Sequence, residues 1–229
     1  NAAYVAYSSA YYAYETGTLS WSAMSGSSPC DLSTAETSRI FGLGGVIFHA
    51  LAGELRWFVP AESGSHCVNA VGTTSGFGNA LELRRGPQGD LYVLSESTNN
   101  IAVHGYRPPS DSTIAQFTNS IQIADNLTGS MAVVGTQHLF VSDGNAAAIK
   151  RYAINTDGTF ETTSPTSTLG IISGRFLRPD PFGKTLFAIV STGELIQYQI
   201  GETGVLTRVT GEEAEDSGYY RDVLAIPLY

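Results

Sequence analysis

Three arginines stand at matching points of a recurring sequence pattern, at or just before the start of an apolar segment. They are Arg39, Arg175 and Arg221, out of ten arginines in the chain. Planar guanidinium groups bind carboxylate and phosphate oxygens in a bidentate manner. Gathered at one place in the fold, they would form a site for a small anionic or carboxylated molecule. They could instead pair with acids such as Glu96, Asp143 and Asp222 and hold neighbouring repeats together, so both interpretations stay open.

A second set of polar side chains follows the apolar segment that comes next in the pattern. Glu96 and Asp143 stand in these loops, and His49 ends such a segment. A carboxylate beside arginines can accept and donate a proton in general acid–base catalysis. Glu96 is therefore the candidate catalytic residue, with an ordinary loop acid as the alternative, and Asp143 and His49 are candidate ligand-binding residues. No histidine pair has metal-ligand spacing, so we expect neither a metal nor a cofactor.

The elements that must position these residues recur along the chain. In the clearest copy, residues 80–106, a short apolar strand ends in a turn with Pro87 and Gly89, and two further strands follow. Equivalent positions are separated by 43, 45, 48 and 47 residues, and they are Tyr4, Ile47, Tyr92, Phe140 and Phe187. This is the period of a four-stranded propeller blade. A β-sandwich has similar strand spacing but no fixed interval, and it is the alternative.

We therefore expect one all-β domain over residues 1–229, a β-propeller of five four-stranded blades. Four blades should span roughly residues 38–75, 77–120, 129–168 and 173–211. Residues 4–7 have the pattern of a second strand without a first, and residues 220–226 have the pattern of a first strand without a second. The two termini are therefore expected to close the ring in a shared blade, which removes open sheet edges. Arg84 and Arg85 end a first strand and are expected at the mouth opposite the candidate site.

Composition disfavours two classes of partner. Only 14% of the residues are charged and the formal net charge is −9, which disfavours binding to nucleic acid or to an anionic membrane. No apolar run approaches the roughly 20 residues needed to cross a bilayer. The chain begins at Asn1, as a mature secreted form would, although a trimmed sequence would look the same. We expect a secreted monomer.

Two further features fit secretion. Cys30 and Cys67 fall near the outer strands of adjacent blades and are expected to form a disulfide, with two unpaired buried thiols as the alternative. Asn126 begins a glycosylation sequon on a predicted loop, a triplet that also arises by chance.

One aromatic side chain recurs in each third strand. Packing between blades is the expected role, and a sugar-binding set is the alternative. The residues are Tyr12, Trp57, Tyr106, Tyr152 and Tyr198.

The motif Gly-Pro-Gln-Gly-Asp-Leu-Tyr-Val at residues 86–93, followed by Glu96 and by residues 100–103, resembles the blade signature of the lactonase-type propellers. That group includes bacterial 6-phosphogluconolactonase and fungal 3-carboxy-cis,cis-muconate lactonizing enzyme. Similar patterns at residues 139–143, 153–160 and 179–187 extend the resemblance over about residues 80–210.

The resemblance implies a propeller with lactonase or cycloisomerase activity on a small carboxylated substrate, and Glu96 coincides with a recurrent Glu of that pattern. Family members have seven blades and are longer, so this chain would be a shortened relative. The alternative from another class is a non-catalytic secreted propeller, a lectin that binds a glycan or a protein-interaction scaffold.

Overall fold

The chain is an all-β protein in the parts that its structure describes. A computed structural model describes residues 2–7, 10–15, 20–23, 39–43, 46–51, 53–60, 67–75, 78–97, 100–107, 115–116, 121–124, 129–143, 147–161, 166–169, 176–189 and 194–209. These ranges contain twenty strands and no helix, which confirms the predicted fold class. None of them holds a helix that could cross a membrane.

The strands of these ranges form five antiparallel sheets in chain order. The first contains β1 (Ala2–Tyr7), β2 (Ala10–Glu15) and β3 (Ser20–Ala23), and the second contains β4 (Arg39–Leu43), β5 (Val46–Leu51), β6 (Glu54–Pro60) and β7 (Cys67–Ser75). The third contains β8 (Asn79–Arg85), β9 (Leu91–Ser97) and β10 (Asn100–Arg107), with β11 (Ala115–Gln116) and β12 (Ile121–Ala124) both paired to β10. The fourth contains β13 (Met131–Val134), β14 (His138–Asp143), β15 (Ala148–Ala153) and β16 (Thr166–Leu169), and the fifth contains β17 (Phe176–Pro179), β18 (Thr185–Ile189), β19 (Leu195–Ile200) and β20 (Leu206–Arg208).

The second to fifth sheets pack face to face in turn, and each apolar cluster lies between two of them. On β9, Leu91 and Val93 face the second sheet, whereas Tyr92 and Leu94 face the fourth. Because successive side chains of a strand point to opposite faces, a strand buried on both faces has a continuous apolar run. This explains why the Leu-Tyr-Val-Leu segment of β9 does not alternate with polar residues.

The first strands of the sheets approach one another in turn. β4 contacts β8, β8 contacts β13, and β13 contacts β17. Small antiparallel sheets packed face to face with converging first strands are the arrangement of a β-propeller, in which these inner strands surround the axis. The sheet bounds agree with the predicted blades, except that β12 extends the third to Ala124.

The terminal pairing remains a prediction. β1 pairs with β2 and contacts β4, as expected for a second strand whose sheet precedes that of β4. Residues 220–226, which should pair on the other side of β1, lie outside the described residues.

The recurrent third-strand aromatics are core residues where their side chains are described. Trp57, Tyr106, Tyr152 and Tyr198 are each less than 5% exposed and belong to the clusters between sheets. The packing interpretation is therefore confirmed for these four.

Candidate functional site

A carboxylate on one inner strand binds groups from two others. Glu82 of β8 accepts hydrogen bonds at Oε1 from Arg84 and from Nη1 of Arg178 on β17, the latter at 2.7 Å. Its Oε2 accepts from Ser130 Oγ at 2.8 Å and from the Met131 amide at 2.6 Å. We call Glu82, Arg84, Arg178 and Ser130 the axial cluster.

The cluster lies on the axis side of the inner strands. β13 stands between β8 and β17, since it contacts both. A direct ion pair between Glu82 and Arg178 must therefore pass β13 on the side that faces the axis. The three charged side chains are partly accessible, with exposed fractions of 11% for Glu82, 26% for Arg84 and 21% for Arg178.

An irregularity in β8 makes Glu82 and Arg84 face the fourth sheet. The pairing of β8 with β9 shifts register between Ala80 and Glu82. Ala80 and Leu83 are consequently both buried against the second sheet, although they are three positions apart. A β-bulge reverses the inward and outward alternation in this way, and Glu82 and Arg84 then face the fourth sheet.

Ser130 connects three sheets. Its Oγ donates to Glu82 and accepts from the Leu177 amide of β17 at 3.0 Å. Its backbone amide donates to Ser142 Oγ at 2.7 Å, and its carbonyl accepts from the Ser142 amide at 2.9 Å. Because both serines are buried, these bonds hold the start of β13 rigidly beside the carboxylate.

The axial cluster brings two guanidinium groups to one carboxylate. Arg84 and Arg178 both bond to Oε1 of Glu82. Arg178 also donates to the Leu177 carbonyl at 2.9 Å and lies over the Phe176 ring at 5.9 Å. These contacts fix the guanidinium plane, as needed for bidentate recognition of an anion.

Several predicted site residues lie at one end of their sheets. Arg39 is the first residue of β4, and Glu96 pairs with Asn79, the first residue of β8. Asp143 is the last residue of β14. Because the sheets share strand order and direction, these positions belong to the same mouth of the propeller. Arg175, directly before β17 in the sequence, and Arg221 lie outside the described residues.

Asp143 and His49 are more enclosed than a ligand-binding role suggests. Asp143 is 3% exposed and pairs with Lys150 Nζ at 2.5 Å across its own hairpin. The pairing with Lys150 favours a structural role for this acid. His49 is 1% exposed within β5, so direct ligand contact would require the second sheet to open. Glu96 is only half-buried and remains the accessible carboxylate candidate.

A serine–histidine contact next to Glu96 has the distance of a nucleophile–base pair. Ser95 Oγ and His104 Nε2 are 3.0 Å apart. Both residues are buried between the second and third sheets, where burial lowers the pKa of His104 and keeps its ring neutral. The pair therefore serves as a satisfied internal hydrogen bond and not as a substrate-facing dyad.

The sequence interpretation did not single out Glu82, Ser130 and Arg178 as site residues. β8 does end at Arg85, but the Arg84 guanidinium turns back to Glu82 and donates to the Met131 carbonyl at 3.4 Å. Arg84 thus lies near the end of an inner strand, as expected, but the sequence did not predict that its side chain binds Glu82. Charged residues inside apolar inner strands, as in Leu-Glu-Leu-Arg at 81–84 and Phe-Leu-Arg at 176–178, were the available signal.

Other predicted sites fall in or beside the undescribed ranges. Cys67 is the first residue of β7, whereas Cys30 and Asn126 lie outside the described residues. The disulfide and the glycosylation site stay predictions. Within the ranges given above, no group of three or more His, Cys, Asp or Glu side chains is placed to hold a metal ion.

Comparison with known proteins identifies the fold. No family model and no curated protein matches the chain. A functionally unknown protein from Desulfotomaculum acetoxidans superposes with a TM-score of 0.68 at 12% identity, covering 92% of this chain and 65% of that one. A protein from Bacteroides fragilis provisionally named 6-phosphogluconolactonase gives 0.63 at 14% identity, covering 91% and 66%. A counterpart from Bacteroides uniformis with the same provisional name gives 0.58 at 19% identity, covering 92% and 69%.

The chain has a lactonase-like β-propeller fold. At these identities the likeness establishes the fold alone. The propeller described here spans about two thirds of the length of these structures. The role of its axial cluster must therefore be argued from its own residues.

Proposed function

We propose that the propeller binds a small carboxylated molecule at the mouth where the inner strands begin, and that it opens or closes a lactone there. The observation that carries the proposal is the axial cluster, in which two arginines share one carboxylate beside the axis. The provisional name of the two Bacteroides proteins, a lactonase, supports the same substrate class.

The axial arginines have the chemistry for substrate binding. When water adds to a lactone carbonyl, negative charge develops on the carbonyl oxygen, and fixed cationic donors stabilise that charge. The bond between the acyl carbon and the ring oxygen then breaks. The ring oxygen becomes a hydroxyl, the acyl group becomes a carboxylate, and one proton is released. The same arginines attract the carboxylate product.

Glu82 and Glu96 have different environments and so different proposed roles. Glu82 accepts four hydrogen bonds, which leaves its oxygens committed to holding the arginines and the start of β13. Glu96 is half-buried at the mouth end of β9, and we assign it the proton transfer that the attacking water requires. Arg39, Arg175 and Arg221 would add positive charge around the entrance.

Lactone hydrolysis tests the proposal directly. Proton release from glucono-lactone is measured with a pH indicator, using the parent protein, Glu96→Gln and the control Glu161→Gln on the exposed surface of the fourth sheet. We expect Glu96→Gln to lose turnover while still binding gluconate, and the control to match the parent. Turnover by Glu96→Gln equal to that of the parent would show that Glu96 is not the catalytic residue. Gluconate binding without turnover in the parent would leave a binding propeller.

A further inference from the structure

A groove lies between the fourth and fifth sheets on the face opposite the candidate mouth. Its volume is about 490 Å³, and its walls come from the β13–β14 turn, the β17–β18 turn and the end of β19. A smaller hollow of about 360 Å³ lies against the inner strands and shares Val134, Gly135, Phe182 and Gly183 with the groove. Phe182 therefore borders both spaces.

Phe182 is displayed on a rigid turn. Its side chain is 71% exposed, although large apolar side chains gain stability from burial. Asp180 Oδ1 accepts from the amides of Lys184 at 2.6 Å and Thr185 at 2.7 Å, and Oδ2 accepts from the Phe182 amide at 3.3 Å. Gly183 takes a positive φ of 67° and donates to the Asp180 carbonyl at 3.0 Å. The turn that exposes the ring is thus held by hydrogen bonds, and it contains Pro181 and follows Pro179.

The remaining walls are polar and carry balanced charge. Gln137 and Gln199 offer amide donors and acceptors, while Lys184 and Glu202 contribute one charge of each sign. Burial, followed by the charge of Arg151, lowers the pKa of His138, which keeps this lining residue neutral at physiological pH. The charged side chains that line the groove therefore cancel, and the groove does not favour an anion.

An aromatic face beside amide and carboxylate groups is suited to a ligand with both apolar faces and hydroxyl edges. Aromatic rings with polar neighbours supply contact area and directional hydrogen bonds together. The groove volume falls within the roughly 300–1,000 Å³ of small-ligand sites. We propose that this groove binds a neutral saccharide, with Phe182 stacking on a sugar ring and Gln137 and Gln199 bonding to its hydroxyls.

Isothermal titration with a panel of neutral disaccharides tests this site, with saturation-transfer NMR to detect weak binding. Phe182→Ala should weaken binding about tenfold or more, since stacking and lost contact area together reach about 1.4 kcal/mol. Phe182→Trp should retain binding, and Gln199→Ala should weaken it. Val205→Ala is the matched control, because Val205 is also an exposed apolar residue, at 50%, but does not line the groove.

Saccharide binding in the groove can be tested separately from the proposed lactone chemistry. Arg178→Met, which changes the axial cluster, should leave saccharide binding unchanged. No binding by any neutral disaccharide, or equal binding by Phe182→Ala and the parent, would overturn the proposal. So would a change of the monomer–dimer equilibrium in Phe182→Ala without any effect of sugar, because the exposed ring would then serve self-association.

Discussion

Replacing Glu82 by Gln should destabilise the propeller far more than replacing an exposed acid of the same type. The carboxylate accepts from two guanidinium groups, one hydroxyl and one backbone amide. A glutamine can still accept from Ser130 and Met131 through its amide oxygen. Its NH₂ group, however, would face Arg84 and Arg178, and two charge-assisted bonds would be lost.

The size of the effect follows from those two bonds. Hydrogen bonds to charged groups contribute about 1.5–3 kcal/mol each in mutational series. The arginines are about one quarter exposed, and solvent screening reduces this figure. We expect a loss of roughly 2–4 kcal/mol in the free energy of unfolding, from the same principle. For a chain of this size that corresponds to a melting temperature lower by roughly 5–15 °C.

Thermal and urea unfolding followed by far-ultraviolet circular dichroism would measure this change. The control is Glu194→Gln, which removes the exposed pair between Glu194 and Arg208, at 3.1 Å, and should cost less than about 1 kcal/mol. Adding Arg178→Met to Glu82→Gln should restore part of the loss, because the double variant removes one of the two guanidinium groups that lost the carboxylate. Equal melting of Glu82→Gln and Glu194→Gln would refute the reasoning.

Two further predictions concern pH and oxidation. Asp90 is 1% exposed, and burial raises its pKa above the ordinary 3.8, although Arg107 acts in the opposite direction. The contribution of Asp90 to stability is therefore complete below pH 3.8 and is lost as pH rises through the folded-state pKa. The melting temperature of Asp90→Asn should therefore rise relative to that of the parent as pH rises above 3.8. Asp157→Asn, at a carboxylate whose pKa is lowered by its bonds to Thr159, should show the opposite trend. A melting-temperature difference between Asp90→Asn and the parent that is constant with pH would contradict this reasoning. Cys30 and Cys67 should appear as one linked peptide pair in mass spectrometry of the unreduced, proteolysed protein, whereas complete alkylation of both without reductant would show free thiols.

The repeat could be predicted because each strand and turn is determined by residues close together in the sequence. Intervals of 43–48 residues and apolar runs bounded by turns located the inner, second and third strands of the second to fifth sheets within a few residues. Trp57 and Tyr106 were assigned to the core for the same reason, since one large aromatic per repeat must fill an equivalent space. These features can be predicted without knowing which sheets pack against each other.

The axial cluster was not predictable because it depends on two non-local facts. Glu82 and Arg178 are separated by 96 residues and meet across an intervening strand. Simple alternation would also put Ala80, Glu82 and Arg84 on one face of β8, whereas the bulge buries Ala80 with Leu83 and turns the charged pair away. The period of two in the sequence does not reveal where such a bulge falls.

Gluconate binding measured by isothermal titration, at two salt concentrations, tests the central claim most directly. Arg178→Met removes one guanidinium group and leaves the ion pair between Arg84 and Glu82 in place, and Arg208→Met is a matched control on the outer strand of the same sheet. The account predicts binding by the parent that weakens with salt, a loss of about tenfold or more in Arg178→Met, and no change in Arg208→Met. Equal affinity of the two variants, or no binding of gluconate by the parent, would contradict it.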